Sequence, residues 1–354
     1  MEENLSYTCN AQITEQQELL AELITSLHFD NQPELELKYG TAGKQRCKKD
    51  CLFHLSYLAE AVRIQRSEIF TSYLQWAQVM LQSRDIPVED LTRILNYLDI
   101  ACRQILSTDN YKIVSDYIDK GVESLKIKAS VTDSFLTTGN PLQLYAIQYL
   151  SLLLKSDRKQ AQSLIADLVK NGQPIPGIYE NIFEATQYEV GLLWQTHKIT
   201  IAQEHYCTAA TQLIMSTLYP IIFNHEKKGY IMLGCTVSEG LHELGIRMMS
   251  DFFEMDGWDT YYMGASMPDT DIISAVKEQE AHLLAISVTM QFDISKVEVL
   301  IKKIRSDATL NKLKIIVGGP PFNQVPELWK RVGADGWAKN AREAVVLANQ
   351  IIKN

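Results

Sequence analysis

Residues 227–245 read KKGYIMLGCTVSEGLHELG. The apolar run Tyr230-Ile231-Met232-Leu233 predicts a buried strand, and the small, polar stretch from Gly234 to Gly240 predicts a loop. His242 then opens a predicted helix whose apolar positions Leu244, Ile246, Met248, Met249, Phe252 and Phe253 include helical spacings. A loop leaving the carboxyl end of the first strand of a doubly wound sheet sits where ligands bind. His242 stands at the end of that loop, and Gly245 lets something approach the backbone closely. Taken alone, a histidine there is as readily an ordinary helix-start residue as a ligand.

Four further strand–helix pairs follow: 258–264 with 269–280, 283–288 with 294–306, 314–318 with 325–332, and 336–339 with 341–353. Five such repeats over residues 227–354 predict a parallel five-stranded sheet covered on both faces, in the flavodoxin order. The first turn lacks G-x-G-x-x-G, no acidic residue follows the second strand in the expected place, and no G-K-[ST] occurs there. Dinucleotides and a P-loop are therefore excluded. The sequence offers instead an imidazole at the crevice, with Ser287-Val288-Thr289 after the third strand and Gly318-Gly319 after the fourth. Hydroxyls and glycines at neighbouring strand ends can line a deep slot for a slender organic tail.

Upstream the chain is helical. Residues 141–226 predict a four-helix bundle (141–154, 158–171, 178–194, 200–223), punctuated by Gly172-Gln173-Pro174-Ile175-Pro176-Gly177. Residues 126–140 (KIKASVTDSFLTTGN) read as a linker, and residues 1–125 as an all-helical domain with Tyr39-Gly40-Thr41-Ala42-Gly43 as a turn. Within that domain Cys47, Cys51 and His54 fall on one helix face, which suits either a metal or a partly buried stripe. Three ligands on one straight helix cannot surround an ion, so the stripe is favoured. A flat tetrapyrrole lying against His54, Tyr57, Tyr73 and Trp76 stands level with an empty core.

Composition narrows the class. A net charge of −9 over 354 residues argues against nucleic acid as the main partner. No apolar run is long enough to cross a bilayer, and the N-terminus has no charged-then-apolar signal pattern. The 6 cysteines lack paired spacing, as expected of free thiols in a reducing cytoplasm.

The segments Gly240 to Gly245 (G-L-H-E-L-G), Ser287 to Thr289 (S-V-T) and Gly318-Gly319, in this order, resemble the fingerprint of the cobalamin-binding domains. That resemblance implies that His242 is the lower ligand to cobalt, in place of the cofactor's own base. It also implies that the nucleotide tail threads past Ser287 and the glycines. The family's Asp is Gly240 here; that Asp normally holds the far nitrogen of the histidine, and Glu239 or Glu243 could substitute.

Trp194, with Glu204-His205 after nine intervening residues, resembles the cap of the CarH-type light-sensing cobalamin regulators, a similarity running over about residues 140–354. It implies that Trp194 and Glu204 contact the adenosyl group of adenosylcobalamin, with His205 beside them. The histidine that follows the Trp in those regulators is Gln195, leaving His197 as a candidate upper ligand after photolysis. The stretch Lys38 to Val62 looks like the leading domain of photocobilins, which implies a biliverdin near the cap with His54 as a contact.

The expectation is thus a cytoplasmic light sensor, not an enzyme. Loss of the adenosyl group would move the cap, alter a homo-oligomer and signal to a separate downstream protein, without DNA or membrane contact. The alternative is a corrinoid protein shuttling methyl groups for a methyltransferase.

Overall fold

The computed structural model describes the backbone of residues 2–237 and 242–353, with the side chains of those ranges from residue 5 onward. Two compact units emerge, residues 1–133 with 195–198 and residues 134–194 with 199–354.

The first unit is all helical: α1 (Glu2–Glu15), α2 (Gln17–Asp30), α3 (Pro33–Ile64), α4 (Ser67–Gln82), α5 (Val88–Ile105) and α6 (Thr108–Leu125). The expected turn at 39–43 is absorbed by one residue of α3, where Gly40 takes φ 58° and ψ −165° and helix continues on either side. Only a glycine adopts that conformation cheaply. The α5 start follows Pro87 with Glu89 and Asp90 in the first turn, favourable charges at the helix N-terminus. Deep in this unit Arg63 meets Glu60 through Nε at 2.9 Å and Nη2 at 2.5 Å, both side chains buried. Removing one member would strand a charge in the core.

The second unit begins inside the expected linker. Ser134 Oγ and the Phe135 amide both donate to Glu189 Oε2, at 2.9 and 2.8 Å, and Leu136 joins the core. Its helical part comprises α7 (Gln143–Leu154), α8 (Arg158–Lys170), α9 (Ile175–Ile178), a π-helical turn (Tyr179–Glu184), α10 (Ala185–Gln195), α11 (Ile201–Ser216) and α12 (Tyr219–Ile222). Where one helix over 200–223 is expected, α11 stops at Ser216. Pro220 lacks an amide proton and would crowd the carbonyl one turn back, so it serves in the first turn of α12. Thr200 caps α11 by accepting from the Gln203 amide, while Gln203 Oε1 accepts from the Thr200 amide.

The sheet strands are β1 (Ile231–Thr236), β2 (Asp259–Gly264), β3 (Leu283–Ser287), β4 (Lys314–Gly318) and β5 (Gly336–Ala338). All pairings are parallel, in the order β2-β1-β3-β4-β5. The helices between and after them are α13 (Leu244–Met255), α14 (Asp269–Glu278), α15 (Ile294–Ser306), α16 (Pro320–Gln324), α17 (Leu328–Arg331) and α18 (Ala341–Ile351). The five-stranded flavodoxin-like sheet preceded by a helical cap and a helical N-terminal region is therefore as expected. Local details differ, among them the helix expected over 325–332, which is split into α16 and α17 around a non-helical Val325. β1 continues through Gly234, Cys235 and Thr236, because a glycine at 234 leaves room for Ser250 and Ile246 of α13. α13 starts at Leu244, so His242 precedes the helix instead of opening it.

Apolar burial joins cap and sheet into one core running from Tyr149 and Phe183 to Phe253 and Trp258. Trp258 is fully buried between Phe253 and Tyr230, with its Nε1 donating to Asn349 Oδ1 at 3.2 Å. Such aromatic burial supplies the largest share of packing energy per residue.

After β4 the chain turns at Gly319 with φ 103° and ψ 174°, and a Cβ there would lie 2.0 Å from the Val288 carbonyl oxygen. Gly319→Ala should lower stability by about 1–3 kcal/mol from backbone strain alone, more with the clash, as measured by chemical unfolding. A variant as stable as the parent would refute this tight turn.

Candidate functional site

The site grows out of strand register. Thr236 of β1 pairs with Ser287 of β3, Ser287 with Gly318 of β4, and Gly318 with Ala338 of β5. Four strands therefore end in one level row of small residues. The loops leaving β1 and β3 depart where the strand order reverses, the position at which open α/β sheets bind ligands.

One wall of the crevice is the start of α13. A Cβ at Gly245 would meet only Ser287 Oγ, at 4.0 Å, so the glycine keeps open the space facing that hydroxyl. The other wall is the β3–β4 edge, where the Val288 amide donates to the Gly318 carbonyl at 3.0 Å and Gly319 lies tight against Val288. Thr289 is half-buried directly beyond. The structure thus brings Gly245, Ser287, Thr289, Gly318 and Gly319 to one edge, as a narrow slot lined by small residues. His242 is exposed on the same β1–α13 loop. Gly240 and Glu239 lie outside the described residues.

Glu243 is taken up elsewhere. Its Oε1 accepts from Gln212 Nε2 of α11 at 3.3 Å, and its carboxylate bonds the Tyr262 hydroxyl, whose pKa burial and this carboxylate raise. The carboxylate is therefore committed to α11 and β2, away from the substitute role for the family's Asp.

Facing the loop, α11 carries Glu204, Thr208, Gln212 and Ser216 at four-residue spacing, one stripe of the helix. Its lower half is tied to α13. Besides the Gln212–Glu243 bond, Arg247 Nη2 donates to Ser216 Oγ at 2.6 Å and to the Tyr219 hydroxyl at 3.1 Å. Below them the Tyr179 hydroxyl donates to Asp251 Oδ2 at 2.7 Å, and burial pushes that carboxyl up to about 6. Among the described residues, the upper half is bonded within the cap. Thr208 Oγ1 bridges Glu204 Oε1 at 3.3 Å and Gln187 Oε1 at 3.0 Å, Gln187 reaches Thr211 at 3.0 Å, and Thr211 meets the buried Tyr149 hydroxyl at 3.1 Å. Glu204 Oε2 holds the exposed His205 Nδ1 at 2.5 Å. Trp194, near the end of α10, is half-buried against the cap core.

Gln212, Arg247, Tyr219, Asp251 and Tyr179 were not singled out from the sequence. The signal was present as matching four-residue spacing, Glu243–Arg247–Asp251 on one helix and Glu204–Thr208–Gln212–Ser216 on another. Nothing in a linear chain says that two such stripes face each other.

The residues expected at an upper face after photolysis, and at a bilin, group with the first unit. Gln195 is buried in the first unit, its carbonyl accepting from Ser83 Oγ and Arg84 Nη1 at 2.9 Å each, and its side chain donating to the Trp76 carbonyl at 3.1 Å. His197, exposed with φ 58°, groups with the same unit, whereas His242 belongs to the other. His54 is buried, its Nδ1 2.9 Å from the Tyr73 hydroxyl, while Tyr57 stacks on Tyr73 at 3.8 Å. These rings fill the space against one another. Cys51 Sγ lies 3.9 Å from Thr25 Oγ1, and among the described residues no three His, Cys, Asp or Glu side chains are placed to hold a metal ion. No described helix is long and apolar enough to cross a membrane.

Residues 231–346 match the B12 binding domain family, and residues 146–219 match a second B12 binding domain model. Both halves of the site thus match B12 binding domain models. The cofactor they indicate is a corrinoid, and an edge of small residues beside the loop that carries His242 fits one. Dimethylamine corrinoid protein 1 of Methanosarcina mazei is 26% identical over 212 residues, covering 58% of this chain and 95% of that protein. A corrinoid protein of Desulfitobacterium hafniense is 28% identical over 169 residues, covering 46% of this chain and 76% of that protein. The solved Methanosarcina barkeri monomethylamine corrinoid protein shares the fold, with a TM-score of 0.53 at 17% identity over 59% of this chain and 99% of that one.

These relatives overturn the light-sensor expectation. The chain's curated similarity runs to corrinoid proteins of methylamine chemistry over nearly the full length of the Methanosarcina mazei protein. The photoreceptor resemblance rests on Lys38 to Val62 and on Trp194 with Glu204-His205, the latter in a cap that the corrinoid relative's fold also includes. Photolysis, the adenosyl-dependent switch and the coupled biliverdin are withdrawn with it.

Burial pushes the His54 imidazole down to about 4, so it is neutral in the fold. Its unfolded counterpart titrates near 6.5, so the stability it contributes is present above that value and lost as pH falls toward 4. Between pH 7 and pH 5 the wild type should lose about 2 kcal/mol relative to His54→Gln, measured by urea unfolding. Parallel pH profiles for the two proteins would contradict a neutral, buried His54.

Proposed function

We propose that this chain is the corrinoid-carrying protein of a methyl-transfer system, a carrier on which separate enzymes load and unload the methyl group. The observation that carries the reading is the junction of the two matched B12 binding domains. They meet where the loop that carries His242 leaves a strand edge of small residues. The methylamine corrinoid relatives supply the chemical class of the methyl donor.

A corrinoid bound there supplies a cobalt that takes up and releases a methyl group. The protein's own residues hold and orient it. His242 would hold the cobalt through whichever ring nitrogen faces the crevice. Gly245, Ser287, Thr289, Gly318 and Gly319 form the sleeve for the nucleotide tail, where any larger side chain at 245 would enter the space in front of Ser287. Above, Trp194 and the Glu204–Thr208 end of the α11 stripe form the upper wall. Glu204 is hydrogen-bonded to Thr208 and His205, which keeps its carboxylate directed along the cap instead of toward the crevice. Such a wall can shield the upper face while the carrier is idle and must yield when a methyltransferase approaches.

The reading predicts that, in darkness, methylcobalamin binds at least as tightly as adenosylcobalamin, and that His242→Ala weakens both at least tenfold, measured by calorimetric titration. A preference for the adenosyl form of a hundredfold or more would contradict a methyl carrier. Unchanged affinity in His242→Ala would remove the histidine from the site.

A further inference from the structure

Three polar rungs join the cap to α13, and they occupy successive turns. Glu243, Arg247 and Asp251 lie at four-residue spacing, which places them on one side of α13 and the residue before it. Their partners are Gln212, then Ser216 with Tyr219, then Tyr179 from the π-helical turn. The lower rungs are braced beyond single bonds. The Arg247 guanidinium lies 5.7 Å from the Tyr219 ring centroid, and the Tyr219 hydroxyl also bonds Asp251. Both residues at the foot are anchored in core, Tyr179 being fully buried and Asp251 nearly so.

The ladder stops one residue from His242. Its top rung, Gln212–Glu243, lies at the point where the β1–α13 loop becomes helix, and Tyr262 of β2 grips the same carboxylate from the sheet side. Above the rung the α11 stripe continues with Thr208 and Glu204, which among the described residues bond within the cap. Holding Glu243 by two elements fixes the backbone that carries the neighbouring imidazole. An exposed histidine on a loop has no such restraint of its own.

Resting on the corrinoid-carrier reading, we propose that Gln212 is a positioning residue for His242. Through Glu243 it sets the imidazole against the metal, so that cap and lower ligand move as one body. The lower ligand is then under the control of the cap: a partner enzyme that displaces α11 also loosens the histidine, on the face of the cofactor opposite the one it works on.

Methylcobinamide, a corrinoid without a nucleotide base of its own, is yellow without a lower nitrogen ligand and red with one. Loaded onto the full chain, it reports the ratio of histidine-ligated to unligated cofactor from its visible spectrum. Wild type should turn red. Gln212→Leu, which removes the donor at similar size, should lower the red-to-yellow ratio on the order of tenfold, the effect of losing a hydrogen bond to a charged group. Gln212→Lys, which restores a donor to Glu243, should recover most of it. Glu243→Gln, still an acceptor for Gln212, should stay nearer to wild type than Glu243→Ala. Thermal unfolding of each variant separates a lost fold from a lost ligand. A red wild type with an equally red, folded Gln212→Leu would overturn the positioning role and leave the carrier reading intact. A yellow wild type that still retains the cofactor would overturn the histidine ligation and the positioning role together.

Discussion

The row formed by Thr236, Ser287, Gly318 and Ala338 is the constraint on which the rest of the molecule depends. Parallel pairing brings these residues level at the carboxyl edge, and the order β2-β1-β3-β4-β5 sends the loops after β1 and β3 to opposite sides of it. Small side chains along the row are tolerated only because the sheet is anchored elsewhere. Leu283, Leu284 and Ile286 of β3, with Ile315, Ile316 and Val317 of β4, bury their side chains between the two helical layers. Stability is invested below the edge, and the edge itself is left thin and receptive.

The cap follows from the same logic. Residues 134–194 and 199–226 share one hydrophobic core with the sheet, so Tyr179, Phe252 and Phe253 pack where cap and sheet meet. One set of polar bonds across that contact specifies how α11 sits on α13. Apolar packing alone would allow sliding, since one buried methyl resembles another. A buried carboxylate accepting from a tyrosine, and a guanidinium shared between a serine and a tyrosine, permit only one alignment.

Much of the sheet was legible because its strands are short apolar runs punctuated by helices of clear period. Lys314–Gly318 and Ile294–Ser306 have the expected bounds. What escaped was set by contacts distant in sequence. β1 extends through Gly234-Cys235-Thr236, which reads as loop until Ser250 and Ile246 are seen to need that glycine. Residues 134–136 read as linker because Glu189, the acceptor that ties them down, lies more than fifty positions away. The crevice residues Gly245, Ser287 and Gly318 were identifiable from their positions after strands. The polar ladder was not, since its partners come from separate elements. The light-sensor expectation leaned on a cap motif of three residues and on Lys38 to Val62, and a helical cap is also part of the corrinoid fold. Similarity along 95% of a corrinoid relative is what overturned that expectation.

The central claim is that a corrinoid sits in this crevice with His242 beneath the metal. The most direct measurement is the electron paramagnetic resonance spectrum of cob(II)alamin bound to protein whose histidines carry nitrogen-15. Coupling of the unpaired electron to a histidine nitrogen should split the high-field lines into doublets, and the splitting should vanish in His242→Ala. Triplets, which would report the cofactor's own nitrogen-14 base still attached, or lines without nitrogen splitting, would contradict the account.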